Sequence, residues 1–186
     1  TDLFDQEYPS TVHHAFLASG RCFVEAKYLT IAEENCYTPD FIGEFRNSEL
    51  HKRNDGRYKE WHAPQMDQNF VISADVAEGL SYGDYSCAQV LDDLGRQIAC
   101  WHGHIDPFEF GNLLFELGCR FNNAYIIVER NNHGLTTLRR LQELDYSNLY
   151  IESSVDGAYG DKLTKRGGFL TTSKTKPLII DGLAAL

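Results

Sequence analysis

Apolar residues are scattered before residue 67 and gathered into short, regular blocks after it. Residues 69–76 (NFVISADV) make a nearly continuous apolar run of strand length, which predicts a buried strand. Residues 85–91 and 96–102 are also strand-like, and the turn-rich Asp92-Asp93-Leu94-Gly95 joins them. The three together predict an antiparallel meander. Residues 107–117 place Phe110, Leu113, Leu114 and Leu117 at helical spacing, with Asp106 as the N-cap. Residues 124–128 are a dense strand-forming run that ends at Glu129, and 134–144 return to helical spacing through Leu135, Leu138, Leu141 and Leu144. A short strand over 148–151 and a helix beginning at 175, with Pro177 in its first turn, complete the pattern.

The first third gives weaker signals. A short helix is predicted over 11–17, capped by Ser10 or Thr11, and another over 26–35. Residues 46–57 are polar, with a turn at Asn54-Asp55-Gly56, and 57–62 alternate as a strand that would form a hairpin with what precedes it. We therefore expect residues 1–67 to be a partly irregular linker or the end of another region, and 68–186 to form the main domain. The order of that domain, β-β-β-α-β-α-β-α, predicts an α/β fold with a mixed sheet flanked by helices and right-handed crossovers. This is the ribonuclease H-like arrangement.

Composition narrows the possible chemistry. The net charge is −10, from 27 acidic and 17 basic side chains, which disfavours a general DNA coat. It leaves room for a nuclease, whose metal ions supply local positive charge. Lys162, Lys165, Arg166, Lys174 and Lys176 oppose the trend and are the candidates for touching a nucleic-acid backbone, against the alternative of a solvated loop of mixed charge. Five widely spaced cysteines with no C-x-x-C pair argue against zinc or a disulfide framework and for reduced thiols in an intracellular protein. No apolar run reaches transmembrane length. The chain starts without Met or a secretory signal pattern and reads as a piece of a longer protein.

Two acids interrupt strands that are otherwise fit for burial. Asp75 ends FVISAD and Glu129 ends YIIVE. Charges rarely sit in such places unless paired or bound to metal. In this strand order the first and fourth strands are neighbours, so the two carboxylates would meet. Their repulsion would favour protonation of one of them, or capture of a hard divalent cation such as Mg²⁺ or Mn²⁺. The competing arrangement pairs Asp75 with Arg130 or a lysine and uses Glu129 to cap the next helix. Asp84, brought back by a glycine-bent hairpin, is an auxiliary carboxylate or a turn residue bonded to Ser86. Glu78 is a weaker candidate in the same hairpin. Asn131 and His133, at a strand-to-helix turn, are auxiliary candidates, His133 for proton transfer.

The segments VISADVAEGLSYGDYSCAQVLD, ACWHGHIDPFEFGNLL and NNAYIIVERNNHGLTTLRRL resemble the nuclease domain of bacteriophage DNA-packaging terminase large subunits. EYPSTVHHAFLASGRCFV resembles the stretch leading from that family's ATPase domain, and the region from Thr164 onward is also similar. The resemblance implies a metal-dependent endonuclease that cuts concatemeric double-stranded viral DNA by two-metal hydrolysis. It aligns Asp75 and Glu129 with the first two catalytic acids, and Asp84 with an acidic position of the first hairpin; all three would be metal ligands. It further implies Mg²⁺ or Mn²⁺, a terminase small subunit, a portal protein, and the cytoplasm of a bacterial host or prophage carrier. Two departures stand out. No G-x-x-x-x-G-K-[ST] phosphate loop occurs, so an ATPase motor is not expected here. The family's third acid, in a His-Asp-Asp-like context, has no counterpart before Leu186, and Asp181 does not match it. The remaining alternatives are a non-catalytic assembly module of a packaging motor and another ribonuclease H-like cutter of resolvase or transposase type.

Overall fold

The computed structural model describes residues 26–46, 49–156 and 162–184. Pro39–Ile180 form one compact unit, while Thr1–Thr38 and Asp181–Leu186 make a second. Of the second unit, helix α1 (Ala26–Glu34) is described, closed by Asn35, whose amide and side chain both donate to Ile31 O. The helix expected over 11–17 lies outside the described residues.

Seven strands form the main sheet. They are β1 (Phe41–Arg46), β2 (Glu49–Lys52), β3 (Tyr58–Glu60), β4 (Phe70–Asp75), β5 (Ser86–Asp92), β6 (Gln97–Gly103) and β7 (Tyr125–Val128). Their order is β2-β1-β3-β6-β5-β4-β7. Every pairing is antiparallel except β4 with β7, which run parallel. Helix α2 (Pro107–Arg120) makes the crossover from β6 to β7, and α3 (Gly134–Glu143) follows β7. The meander expected for a ribonuclease H-like mixed sheet is present, and so is the crossover through α2 to β7, parallel to β4.

Alternation explains which face is buried. In β4, Phe70, Ile72 and Ala74 are buried, and in β7 so are Ile126 and Val128. They share one core with Phe110, Leu114 and Leu117 of α2 and Leu138 and Leu141 of α3. Each of these side chains other than Ala74 contributes about 1.5–3 kcal/mol of burial. Asp106 caps α2 as predicted, its Oδ1 accepting from Phe108 N at 2.8 Å and Glu109 N at 3.4 Å.

Three departures from the sequence expectation have physical causes. Residues 41–60 were expected outside the main domain, yet β1–β3 are strands of the same sheet, joined through Tyr58↔Trp101 and Glu60↔Ala99. A buried polar group ties them in. Glu60 accepts from the Tyr58 hydroxyl and from Arg120 Nε and Nη2 of α2, at 2.8 Å each for the arginine. Burial, then the Glu60 charge, pushes the Tyr58 phenol far above its ordinary pKa.

The short strand expected at 148–151 shrinks to one parallel bridge, Ile126↔Leu149. From Ile151 the chain leaves the sheet as β8 (Ile151–Asp156), which pairs with β9 (Lys162–Gly167) in a separate hairpin. The basic stretch is therefore strand up to Gly167, and the loop alternative does not hold there. Helix α4 (Thr175–Ala184) follows, entered through a reciprocal cap in which Thr175 N donates to Thr172 Oγ1 and Thr172 N to Thr175 Oγ1. Among the described residues, no helix is long and apolar enough to cross a membrane.

Candidate active site

Because β4 and β7 are parallel and in register through Ala74↔Val128, the residues that follow stand side by side. The Glu129 amide donates to Ala74 O at 2.8 Å, continuing the ladder past the last paired residues. Ala74 and Val128 point into the core, so Asp75 and Glu129 point to the opposite face. Phe169 lies on the far side of Glu129, its amide donating to Val128 O at 2.9 Å while Arg130 N donates to Phe169 O at 2.7 Å. A shallow cavity of about 390 Å³ beneath the pair is lined by Ser73, Ile127, Phe169, Thr171 and Ile179.

The two carboxyl groups meet. The Asp75 carboxyl is raised above the usual carboxylate range, first by partial desolvation, then by its hydrogen bond with Glu129 and the charges of Glu129 and Asp84. The competing partner is committed elsewhere: Arg130 Nη2 donates to Glu152 Oε2 at 2.5 Å. Glu129 is not the helix cap either. That role falls to Asn131, whose Oδ1 accepts from Gly134 N at 2.8 Å while its Nδ2 donates to Val76 O at 3.1 Å. Gly134 is required by the turn, since a Cβ there would sit 1.9 Å from Glu129 O.

A second cleft, about 420 Å³, opens from Asp75 toward the β4–β5 loop and is lined by Glu78, Asp84, Tyr85, Asn131 and His133. His133 occupies the N-cap position of α3, makes no capping bond with its side chain, and turns to this cleft. Asp84 is exposed at the rim; Ser86 Oγ accepts from Ala77 N at 3.0 Å and so closes the loop below it. No residue lining the cleft, among those described, is Lys or Arg.

The structure thus brings Asp75, Glu129, Asp84, Asn131 and His133 to one end of the sheet. It does not bring the basic candidates there as one patch. Lys165 and Arg166 are consecutive on β9 and so lean to opposite faces of the hairpin, opposite Ser153 and Glu152. Lys162 is the first residue of β9, and Lys174 and Lys176 are exposed at the start of α4. Sequence reasoning did not single out Tyr85, His102 and His104, whose rings cluster beside the cleft. Their one visible signal was the alternation His102-Gly103-His104 at the end of a strand.

Donor chemistry at Asp75 and Glu129 fits a hard divalent cation, because both offer carboxylate oxygens and one is electrostatically frustrated without it. The set is small, however. Among the described residues, no group of three or more His, Cys, Asp or Glu side chains is arranged to hold a metal ion.

The chain superposes on the large terminase nuclease from thermophilic phage G20c with bound magnesium, with a TM-score of 0.53 at 18% identity over 78% of this chain. Its fold is that of a large terminase nuclease. The same phage nuclease with bound cobalt gives a TM-score of 0.52, and with bound zinc 0.51, both at 18% identity. This chain spans 64% of the length of the magnesium-bound nuclease chain. No family model and no curated protein matches the sequence. Within this fold, the acid pair stands at the ends of the sheet's two parallel strands, β4 and β7.

Proposed function

We propose that this chain is the nuclease part of a phage DNA-packaging terminase, a divalent-metal-dependent endonuclease acting on double-stranded viral DNA. The observation that carries the reading is the Asp75–Glu129 carboxyl pair, set side by side at the ends of β4 and β7 on the face away from the core. Asp75 and Glu129 would hold the divalent cation, with Asp84 contributing from the rim of the cleft. When bound there, Mg²⁺ or Mn²⁺ would supply the Lewis acidity that phosphodiester hydrolysis needs. The chain's own groups do the remaining work. His133 faces the cleft and can move a proton at its ring nitrogen. Asn131 fixes the turn that carries Glu129 to α3. Of Lys162, Lys165, Arg166, Lys174 and Lys176, those on the face turned to DNA would touch its backbone away from the acids, without reading sequence. A terminase small subunit and a portal protein are the partners this role requires, in the cytoplasm of a bacterial host.

The test is plasmid cleavage in Mg²⁺ or Mn²⁺ by the protein beside Asp75→Asn and Glu129→Gln. Metal-dependent cutting lost in both variants supports the reading; equal cutting by parent and variants removes it. One observation favours a second reading, an assembly module without catalysis: among the described residues, no group of three or more His, Cys, Asp or Glu side chains is arranged to hold a metal ion. Absence of Mn²⁺ binding at millimolar concentration would put that reading first.

A further inference from the structure

Asp84 lies in a long loop between β4 and β5, and loops of this kind need anchors if a side chain is to keep its place. The structure supplies three, all from the segment that follows β6. Gly79, at φ +87°, lies against Ile105, where a Cβ would come 2.5 Å from the Ile105 carbonyl. His104 Nε2 lies 3.0 Å from Gly83 O, and since a carbonyl only accepts, this nitrogen carries the proton. The Tyr85 ring stacks on the His104 ring with centroids 4.1 Å apart and planes at 20°. Both chain neighbours of Asp84 are thus held by one histidine, one through the backbone and one through its ring.

His104 is held in turn. Arg57 Nη1 donates to His104 O at 2.8 Å. The backbone amide and Nε of Arg57 both donate to Glu44 Oε1 at 3.1 Å, and its guanidinium lies 5.2 Å from the Trp101 ring. These links run from β1 through Arg57 and His104 to the loop at the cleft that Asp75 and Asp84 share.

We propose that His104, braced by Arg57, is a positioning residue that holds Asp84 beside the Asp75–Glu129 pair so that its carboxylate joins the same cation environment. This rests on the nuclease reading. It gives β1–β3 a function: they support the site from a distance.

The experiment uses the full chain and Mn²⁺ alone, with affinity read by calorimetry and loop order by amide hydrogen exchange of residues 79–85 without metal. His104→Phe keeps a ring for Tyr85 but removes the N–H; His104→Gln restores a donor near the Nε2 position. Removing one such bond is expected to weaken Mn²⁺ about fivefold. His104→Phe should match Asp84→Asn in this, speed exchange in the loop, and add nothing in the Asp84→Asn background. His104→Gln should recover most of the affinity. Mn²⁺ affinity unchanged in His104→Phe overturns the proposal, as does further weakening in the double variant. If His104→Phe does not fold, Arg57→Gln decides, with about twofold weakening expected and an unchanged affinity fatal. A parent protein that binds no Mn²⁺ overturns the nuclease reading itself, and this proposal with it.

Discussion

The acid end of the main sheet and strand β9 of the β8–β9 hairpin carry opposite charge and are held differently. Asp75 and Glu129 end strands locked on both sides: β4 pairs with β5 and β7, and Glu129 is bonded to Ala74 and bridged to Phe169. The hairpin is tied to the sheet at its base, where Phe169 N donates to Val128 O, Gly168 N to Tyr150 O, and Arg130 pairs with Glu152. The difference teaches that like charges need a rigid frame to stay close, since they repel and would drift apart on a flexible one.

The largest expected effects break the acid end. Asp75→Asn and Glu129→Gln should each lower metal-dependent cleavage by at least about a hundredfold, as removal of a group stabilising transition-state charge does. Stability at neutral pH should survive, because both side chains point away from the core. Next comes the link between the two regions. Glu152→Ala leaves the Arg130 guanidinium, 10% exposed and with its Nε already lacking a partner, without its carboxylate. Thermal or urea unfolding should register a destabilisation of about 1–3 kcal/mol. No change would mean that the hairpin is not tied down through this pair.

Smaller effects belong to the hairpin itself. Lys165→Ala with Arg166→Ala should weaken DNA binding several-fold and reduce the salt slope by roughly 0.9 for each phosphate that is no longer neutralised. Since the two side chains leave opposite faces, only one of them is expected to reach a phosphate. A drop twice that size would mean the DNA wraps the hairpin, and no drop would remove the hairpin from the interface.

The same contrast governs what could be read from the chain. Strands β4–β7 and helices α2 and α3 were legible because their apolar residues repeat with the period of the element that buries them. Asp75 and Glu129 were legible for the same reason, as charges where the pattern demanded apolar groups. Strands β1 and β2 were not legible: Phe41, Phe45 and Leu50 are partly buried, with polar residues between them, so no apolar block appears. Strand β9, KLTKRG, reads as a basic loop because it pairs with β8 alone and carries charge on both faces. The brace from Arg57 to His104 joins residues 47 apart in sequence, which no local pattern encodes.

The smallest prediction probes the strain that the rigid frame imposes. Partial desolvation and the neighbouring Glu129 raise the Asp75 carboxyl in the folded state, so the folded chain keeps that proton to higher pH than the unfolded one. The group's contribution is therefore most favourable below the unfolded carboxylate value and declines as pH rises through the folded one. Asp75→Asn removes this titration. Without metal, the variant should melt slightly higher than the parent above the carboxylate range, by about 1–2 °C for a chain of this size, and the gap should close in acid. The effect is small because Asp75 is exposed and water screens the pair. Adding millimolar Mn²⁺ should reverse the order, since binding to the folded state stabilises the parent alone. A metal-free melting difference that ignores pH would show that the two carboxyls do not repel in solution. The cation would then lose its electrostatic reason to bind there.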